Sequence, residues 1–144
     1  SFGETKQKFY NNMKRLKMDF EELEKKGLFK YINIPTSAST DFVDAFIDIL
    51  VKNVKSMDAK RVVIDSITPI LSILENEKAR ALLHSTLYHG LTSMNITTLL
   101  VADLPYGKEA IELGAIEFIA DGIIVMKIRI EGGLITRWIE IRKI

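Results

Sequence analysis

Asp65 closes the run Val62-Val63-Ile64 and is followed by Ser66. An apolar strand that ends in a carboxylate fixes that group at a sheet edge. There it can orient the water shell of a divalent cation such as Mg2+, which takes few protein ligands and keeps several waters. An Asp that caps a following helix leaves the same trace. Glu4, in Ser1-Phe2-Gly3-Glu4-Thr5, stands just ahead of a helical pattern. A carboxylate at such a junction can orient or deprotonate a water. It can equally be a first-turn acid favoured by the helix dipole. His84 and His89 are the only histidines. On an α-helix they point about 140° apart, so they are not expected to share a metal. Lys6, Lys8, Lys14, Arg15 and Lys17 make the first helix basic, and Lys127, Arg129, Arg137, Arg142 and Lys143 mark the last strands. Such residues form a solvated face or meet phosphates. On exposed strands they also discourage edge pairing.

The elements that must position these groups alternate. Residues 5–17 carry Phe9, Met13 and Leu16 at helical spacing. Asp19 reads as the cap of a short helix over 20–26 that Gly27 ends. Residues 28–34 are aromatic and β-branched, and Pro35 closes them as a strand. Thr40 or Asp41 caps a helix over 42–55 whose buried side is Phe42, Phe46, Ile49, Leu50 and Val54. Residues 61–65 form a strand without alternation, which predicts cover on both faces, as in a parallel sheet between helix layers. A long helix is predicted over 75–94, with Leu82, Leu83, Leu87 and Leu91 inward, then a second apolar strand over 97–102. Residues 106–113 read as a loop or a weak helix. Strands over 122–130 and 134–141 are joined by Glu131-Gly132-Gly133 as a hairpin. Its first strand sets Ile124, Met126, Ile128 and Ile130 against Val125, Lys127 and Arg129.

The result is an α/β order with a mostly parallel sheet and a C-terminal antiparallel hairpin. In such sheets ligands bind beyond the carboxyl ends of the strands. That singles out Asp65-Ser66, Asp103 and the chain start. With 144 residues and 47% hydrophobic content, one domain over 1–144 with a packed core is expected. A net charge of +1 excludes a globally basic nucleic-acid binder. With no cysteine there is no disulfide and no thiolate metal site, and nothing calls for secretion, so a cytoplasmic protein is expected. No apolar run is long enough to span a bilayer. Scarce Gln, no Cys and plentiful Ile and Lys fit a thermophilic source. The chain opens on Ser1 and is expected to be a processed or cloned piece of something longer.

In order and spacing these segments resemble the KaiC/RadA-like branch of the RecA superfamily of P-loop ATPases. Ser1-Phe2-Gly3-Glu4-Thr5 resembles the family segment that carries catalytic glutamates after the second core strand. Met18-Asp19-Phe20-Glu21-Glu22-Leu23 resembles its G-x-D-hydrophobic helix start. Arg61-Val62-Val63-Ile64-Asp65-Ser66-Ile67-Thr68 resembles its Walker B strand, and Thr97-Thr98-Leu99-Leu100 the core strand that follows. Glu117-Phe118-Ile119-Ala120-Asp121-Gly122-Ile123-Ile124 and Arg137-Trp138-Ile139-Glu140-Ile141-Arg142-Lys143-Ile144 resemble its C-terminal hairpin.

The resemblance implies a three-layer RecA-like fold and ATP hydrolysis with Mg2+ in a homo-oligomeric ring or filament. It makes Asp65 the group that orients Mg2+ through water, with Ser66 beside the nucleotide. Glu4 would polarise the attacking water, and Lys143 would act across a subunit interface. It also carries departures. No G-x-x-x-x-G-K-[ST] phosphate loop occurs in these residues; by the resemblance it would lie upstream of Ser1. The resemblance was also read as placing that loop's strand between 61–65 and 97–102, which predicts a gap there. Gly3-Glu4 stands where clock-type members have two glutamates, and Val101-Ala102 where a polar sensor often sits. The Arg that follows the family's Lys has no counterpart here. Gly3, Val101 and Ala102 each remove a polar group that catalysis could use, and they favour a rival reading, a non-hydrolytic regulatory or assembly subunit. A DNA-repair accessory protein that meets DNA through the basic first helix is the weaker third reading.

Overall fold

The computed structural model describes residues 1–34, 41–73, 77, 81, 84–104 and 120–143. The chain divides into two compact units, Ser1–Ile111 and Glu112–Ile144.

The first unit opens with helix α1, Lys6–Arg15. Thr5 caps it by accepting a hydrogen bond from the Lys8 N–H at 3.3 Å. Helix α2, Phe20–Lys25, is capped by Asp19, which accepts from the Glu22 N–H at 3.0 Å. Gly27, at φ +71°, takes the left-handed turn out of α2 that a side chain would resist. Phe9 of α1 and Phe20 of α2 meet edge to face at 5.2 Å. Phe29 and Tyr31 stack on Phe9 at 5.8 and 4.8 Å. Residues 28–34, expected as a strand, form no sheet ladder among the described residues. Ser1 bridges them: its nitrogen donates to Ile32 O at 2.8 Å, and Ile34 N–H donates to Ser1 O at 3.0 Å.

Across the α1–α2 contact, Lys6 and Tyr10 both donate to Glu24, at 2.8 and 2.6 Å, and Lys14 pairs with Glu21. Two of the five basic residues on and after α1 thus face acids of α2. The Lys6 hydrogen bond, seconded by that of Tyr10, holds the Glu24 carboxyl below the ordinary carboxylate range. Its folded pKa is therefore the lower one. The contact stabilises the fold above the unfolded value of about 4.3 and loses that effect as pH falls through the folded value. Carboxyl-detected NMR titration is expected to show Glu24 titrating low, and Lys6→Met to move it back up.

Helix α3, Asp41–Ser56, buries Phe42, Val43, Phe46, Leu50 and Val54. Ile49, expected inward, is 36% exposed at the margin of that stripe. Phe2 packs against Phe42 and Phe46 at 5.8 and 5.5 Å, so α3 anchors the chain start. Strand β1, Arg61–Asp65, pairs in parallel with β2, Thr97–Val101, from Arg61 opposite Thr97 to Asp65 opposite Val101. The two strands bond directly, so the gap expected between them is not there. Cover on both faces is also corrected. Ile64 is 4% exposed, whereas Val63 and Leu99, on the opposite face, are 61% and 56% exposed. An apolar run shows only that a strand tolerates cover on both faces; packed neighbours must provide it.

Helix α4, Thr68–Ile73, starts seven residues before the predicted long helix. Leu82 and Leu83 lie outside the described residues, as do Thr40 and the predicted loop or weak helix at 106–113. Leu87 and Leu91 are buried as expected. Ser85–Gly90, however, winds as a π-helix. Its i→i+5 bonding takes more residues per turn. This brings the His84 and His89 rings to 5.3 Å, edge to face, which corrects the divergence expected of an α-helix.

The second unit holds β3, Ile123–Glu131, and β4, Leu134–Lys143, as an antiparallel hairpin. Gly132 and Gly133 both have positive φ, +58° and +80°, the geometry of the tight two-residue turn that matches strand twist. One face carries Ile124, Met126, Ile128 and Ile130 opposite Ile141, Ile139, Arg137 and Ile135. The other carries Val125, Lys127 and Arg129 opposite Glu140, Trp138 and Thr136. There the Arg129 guanidinium lies 3.9 Å from the centre of the Trp138 ring. Among the described residues no helix is long and apolar enough to cross a membrane.

Candidate functional site

β1 and β2 end side by side, and the chain just beyond them is tied together. The Ile67 N–H donates to Val101 O at 2.7 Å. The Ser66 hydroxyl donates to the Asp103 carboxylate at 2.8 Å and accepts from the Thr68 N–H at 3.2 Å. The Asp103 N–H in turn donates to the Thr68 hydroxyl at 2.8 Å. The Asp65–Ser66 peptide is cis. Both residues that follow the strands are thus fixed, and the exposed Asp65 side chain is left at the sheet edge. Beneath them, Ile67 and Ile70 are fully buried.

Glu4 stands just ahead of the Thr5 cap of α1. Its carboxylate accepts a hydrogen bond from the Asn12 amide at 2.8 Å. Its main-chain oxygen accepts one from the Tyr31 hydroxyl at 2.6 Å. Burial pushes the Tyr31 phenol above its ordinary pKa, and the negative charges of Glu4 and Asp65 push it the same way, against a hydrogen bond with Ser1. Tyr31 thus meets Glu4 directly, at its main-chain oxygen.

Glu4, Asp65 and Ser66 belong to the first unit, and Lys143 to the second. Lys143 is exposed and pairs with Ile123 at the open end of the hairpin. Asn12 and Tyr31 were not legible as site residues. Asn12 sits eight residues from Glu4, and nothing in its type marks it as a partner. Tyr31 looked like one more aromatic of a strand. Asp103 had a signal, since it follows an apolar strand, and the structure bonds it to Ser66.

Among the described residues no group of three or more His, Asp or Glu side chains could hold a metal. Mg2+ does not require one, because it is commonly held by one or two carboxylates together with substrate phosphates and waters. An exposed carboxylate fixed at a strand end, as Asp65 is, fits that chemistry. The Ser66 hydroxyl, already bonded to Asp103 and Thr68, is a structural element of the edge as well as a candidate contact.

A search of curated proteins found no significant relative. Among solved structures, the fold matches that of a KaiC-like protein from the hyperthermophilic archaeon Pyrococcus horikoshii OT3, with a TM-score of 0.78 and 32% identity. The match covers 99% of this chain and 62% of that one, so the chain spans less than two thirds of its relative. The profile of the family described as ATPase, KaiC, matches residues 1–144. With its parallel strands, its C-terminal hairpin and a family match along its whole length, the chain belongs to the KaiC ATPases, on the α/β fold of the RecA superfamily.

Proposed function

We propose that this chain carries the hydrolytic edge of an ATP-binding KaiC-type domain that works in a ring or filament of like subunits. The observation that supports this best is the end of the parallel pair, where Asp103 braces Ser66 and the exposed Asp65 carboxylate stands at the sheet edge. Mg2+, when bound, would offset phosphate charge, and Asp65 would hold it through water. Glu4 holds a second carboxylate that orients the attacking water and takes its proton as the water oxygen bonds to the γ-phosphorus and the bond from that phosphorus to the ADP oxygen breaks. Lys143, at the open end of the hairpin, supplies a cation to a neighbouring subunit's nucleotide, where charge develops in the transition state. The phosphates need a cradle of backbone N–H groups and a Lys, and no such motif occurs among these residues.

A second reading, a non-hydrolytic regulatory or assembly subunit, draws on one specific contact. The Glu4 carboxylate is bonded to Asn12, and Gly3 offers no second carboxylate beside it. Substitution separates the two readings. In the full-length protein, Asp65→Asn is expected to reduce Mg2+-dependent turnover far more than nucleotide affinity. Glu4→Gln is expected to slow turnover about 10²-fold or more with binding retained, since no adjacent carboxylate shares its work. Steady-state ATPase assays paired with nucleotide titrations measure both. Unchanged turnover in Glu4→Gln would mark Glu4 as non-catalytic, and no turnover in the parent would establish the assembly reading instead.

A further inference from the structure

We infer that Asn12 and Tyr31 are positioning residues for Glu4, holding the water-orienting carboxylate in place from two directions. This rests on the hydrolytic reading of Glu4. The two contacts reach different parts of one residue. Asn12 donates from the second half of α1 to the Glu4 carboxylate at 2.8 Å, across eight residues of sequence. Tyr31 donates from the extended 28–34 segment to the Glu4 main-chain oxygen at 2.6 Å, across twenty-seven residues. One bond fixes where the side chain points, and the other fixes where its backbone sits.

Both donors are themselves held. Asn12 lies within α1, whose N-terminus is capped by Thr5, the residue after Glu4. Tyr31 is stacked on Phe9 of the same helix at 4.8 Å and meets Tyr10 edge to face at 6.4 Å. Glu4 itself precedes the helix cap, where the backbone has no helical ladder to fix it. Without the two donors its carboxylate would sample several rotamers. An acid that must meet a water in line with a phosphorus atom is sensitive to such freedom, because small displacements of a reacting group carry large rate costs. Neither donor needs to touch ATP for this role. The carboxylate retains acceptor capacity for water, since a carboxylate offers about four acceptor sites and Asn12 uses one.

The test is a set of turnover and binding measurements on the full-length protein. Asn12→Ala is expected to lower kcat about tenfold, and Tyr31→Phe, which keeps the ring stack, about three- to tenfold. Both should leave the nucleotide dissociation constant and KM within about twofold of the parent. Gln7→Ala removes a bond to Asn11 on the exposed face of the same helix. It is expected to leave kcat unchanged and so to control for general weakening of α1. In a Glu4→Gln background, Asn12→Ala should lower kcat no further, because the group it positions has lost its base. A parental kcat in Asn12→Ala and Tyr31→Phe, with Glu4→Gln slow, would overturn the positioning role and leave the hydrolytic reading standing. An equal loss from Asn12→Ala in both backgrounds would overturn it too. No turnover in the parent, or parental turnover in Glu4→Gln, would overturn the hydrolytic reading itself.

Discussion

Truncating Ile67 to alanine is expected to destabilise the protein by about 2–5 kcal/mol, the range for deleting a fully buried aliphatic side chain. Ile67 is 0% exposed and stands two residues past Asp65. Its N–H is bonded to Val101 O, so the side chain is driven into the core at the point where β1 and β2 are joined. A cavity there cannot be filled by sliding the strand, because the register from Arg61–Thr97 to Asp65–Val101 holds it. Since whole domains are stable by only about 5–15 kcal/mol, the loss is a large share of the total. Asp48→Ala, on the exposed side of α3, is expected to stay within about 0.5 kcal/mol. Urea unfolding followed by circular dichroism measures both. An Ile67→Ala midpoint equal to that of the parent would mean that the sheet end is not a packed support for Asp65.

A polypeptide of these 144 residues alone is expected to bind Mg-ATP with a dissociation constant of about a millimolar or weaker. Two physical terms set this. The residues contain no glycine-rich phosphate loop, and helix N-termini and loop N–H groups usually dominate phosphate binding. The sheet end also presents carboxylates: Asp65 at the end of β1, and Asp103 on Ser66. An anionic ligand is repelled there unless a cation and a cradle offset the charge. A micromolar constant differs from a millimolar one by about 4 kcal/mol, well within the reach of calorimetry. Micromolar affinity would show that these residues hold phosphate by some other arrangement, and Asp65 and Ser66 would need new roles.

The two sheet strands and the hairpin were legible because short-range rules govern them. Val62-Val63-Ile64 and Thr97–Val101 are β-branched or aliphatic runs of strand length, and Gly132-Gly133 is a turn that only positive φ allows. The cap Asp19 was equally readable, since a side-chain oxygen must meet N–H groups one turn away. The 28–34 segment has the residue types of a strand, and its backbone meets Ser1 at Ile32 and Ile34. The π-helical turn at Ser85–Gly90 was out of reach. Helical periodicity assumes 3.6 residues per turn, and a change of winding leaves no mark on residue types.

By itself the sequence determined which residues could do chemistry: an acid at the end of Val62-Val63-Ile64, an acid ahead of α1, a cation near the end of β4. These follow from residue type and near-neighbour spacing, which act over one or two turns. Only the tertiary structure decided that Glu4 is held by Asn12 and Tyr31 and that Ser66 leans on Asp103. Those contacts join residues 8 to 37 positions apart. They form because the parallel pairing of β1 with β2 and the packing of Phe2 on α3 bring distant segments to one sheet edge, and no local rule encodes that convergence.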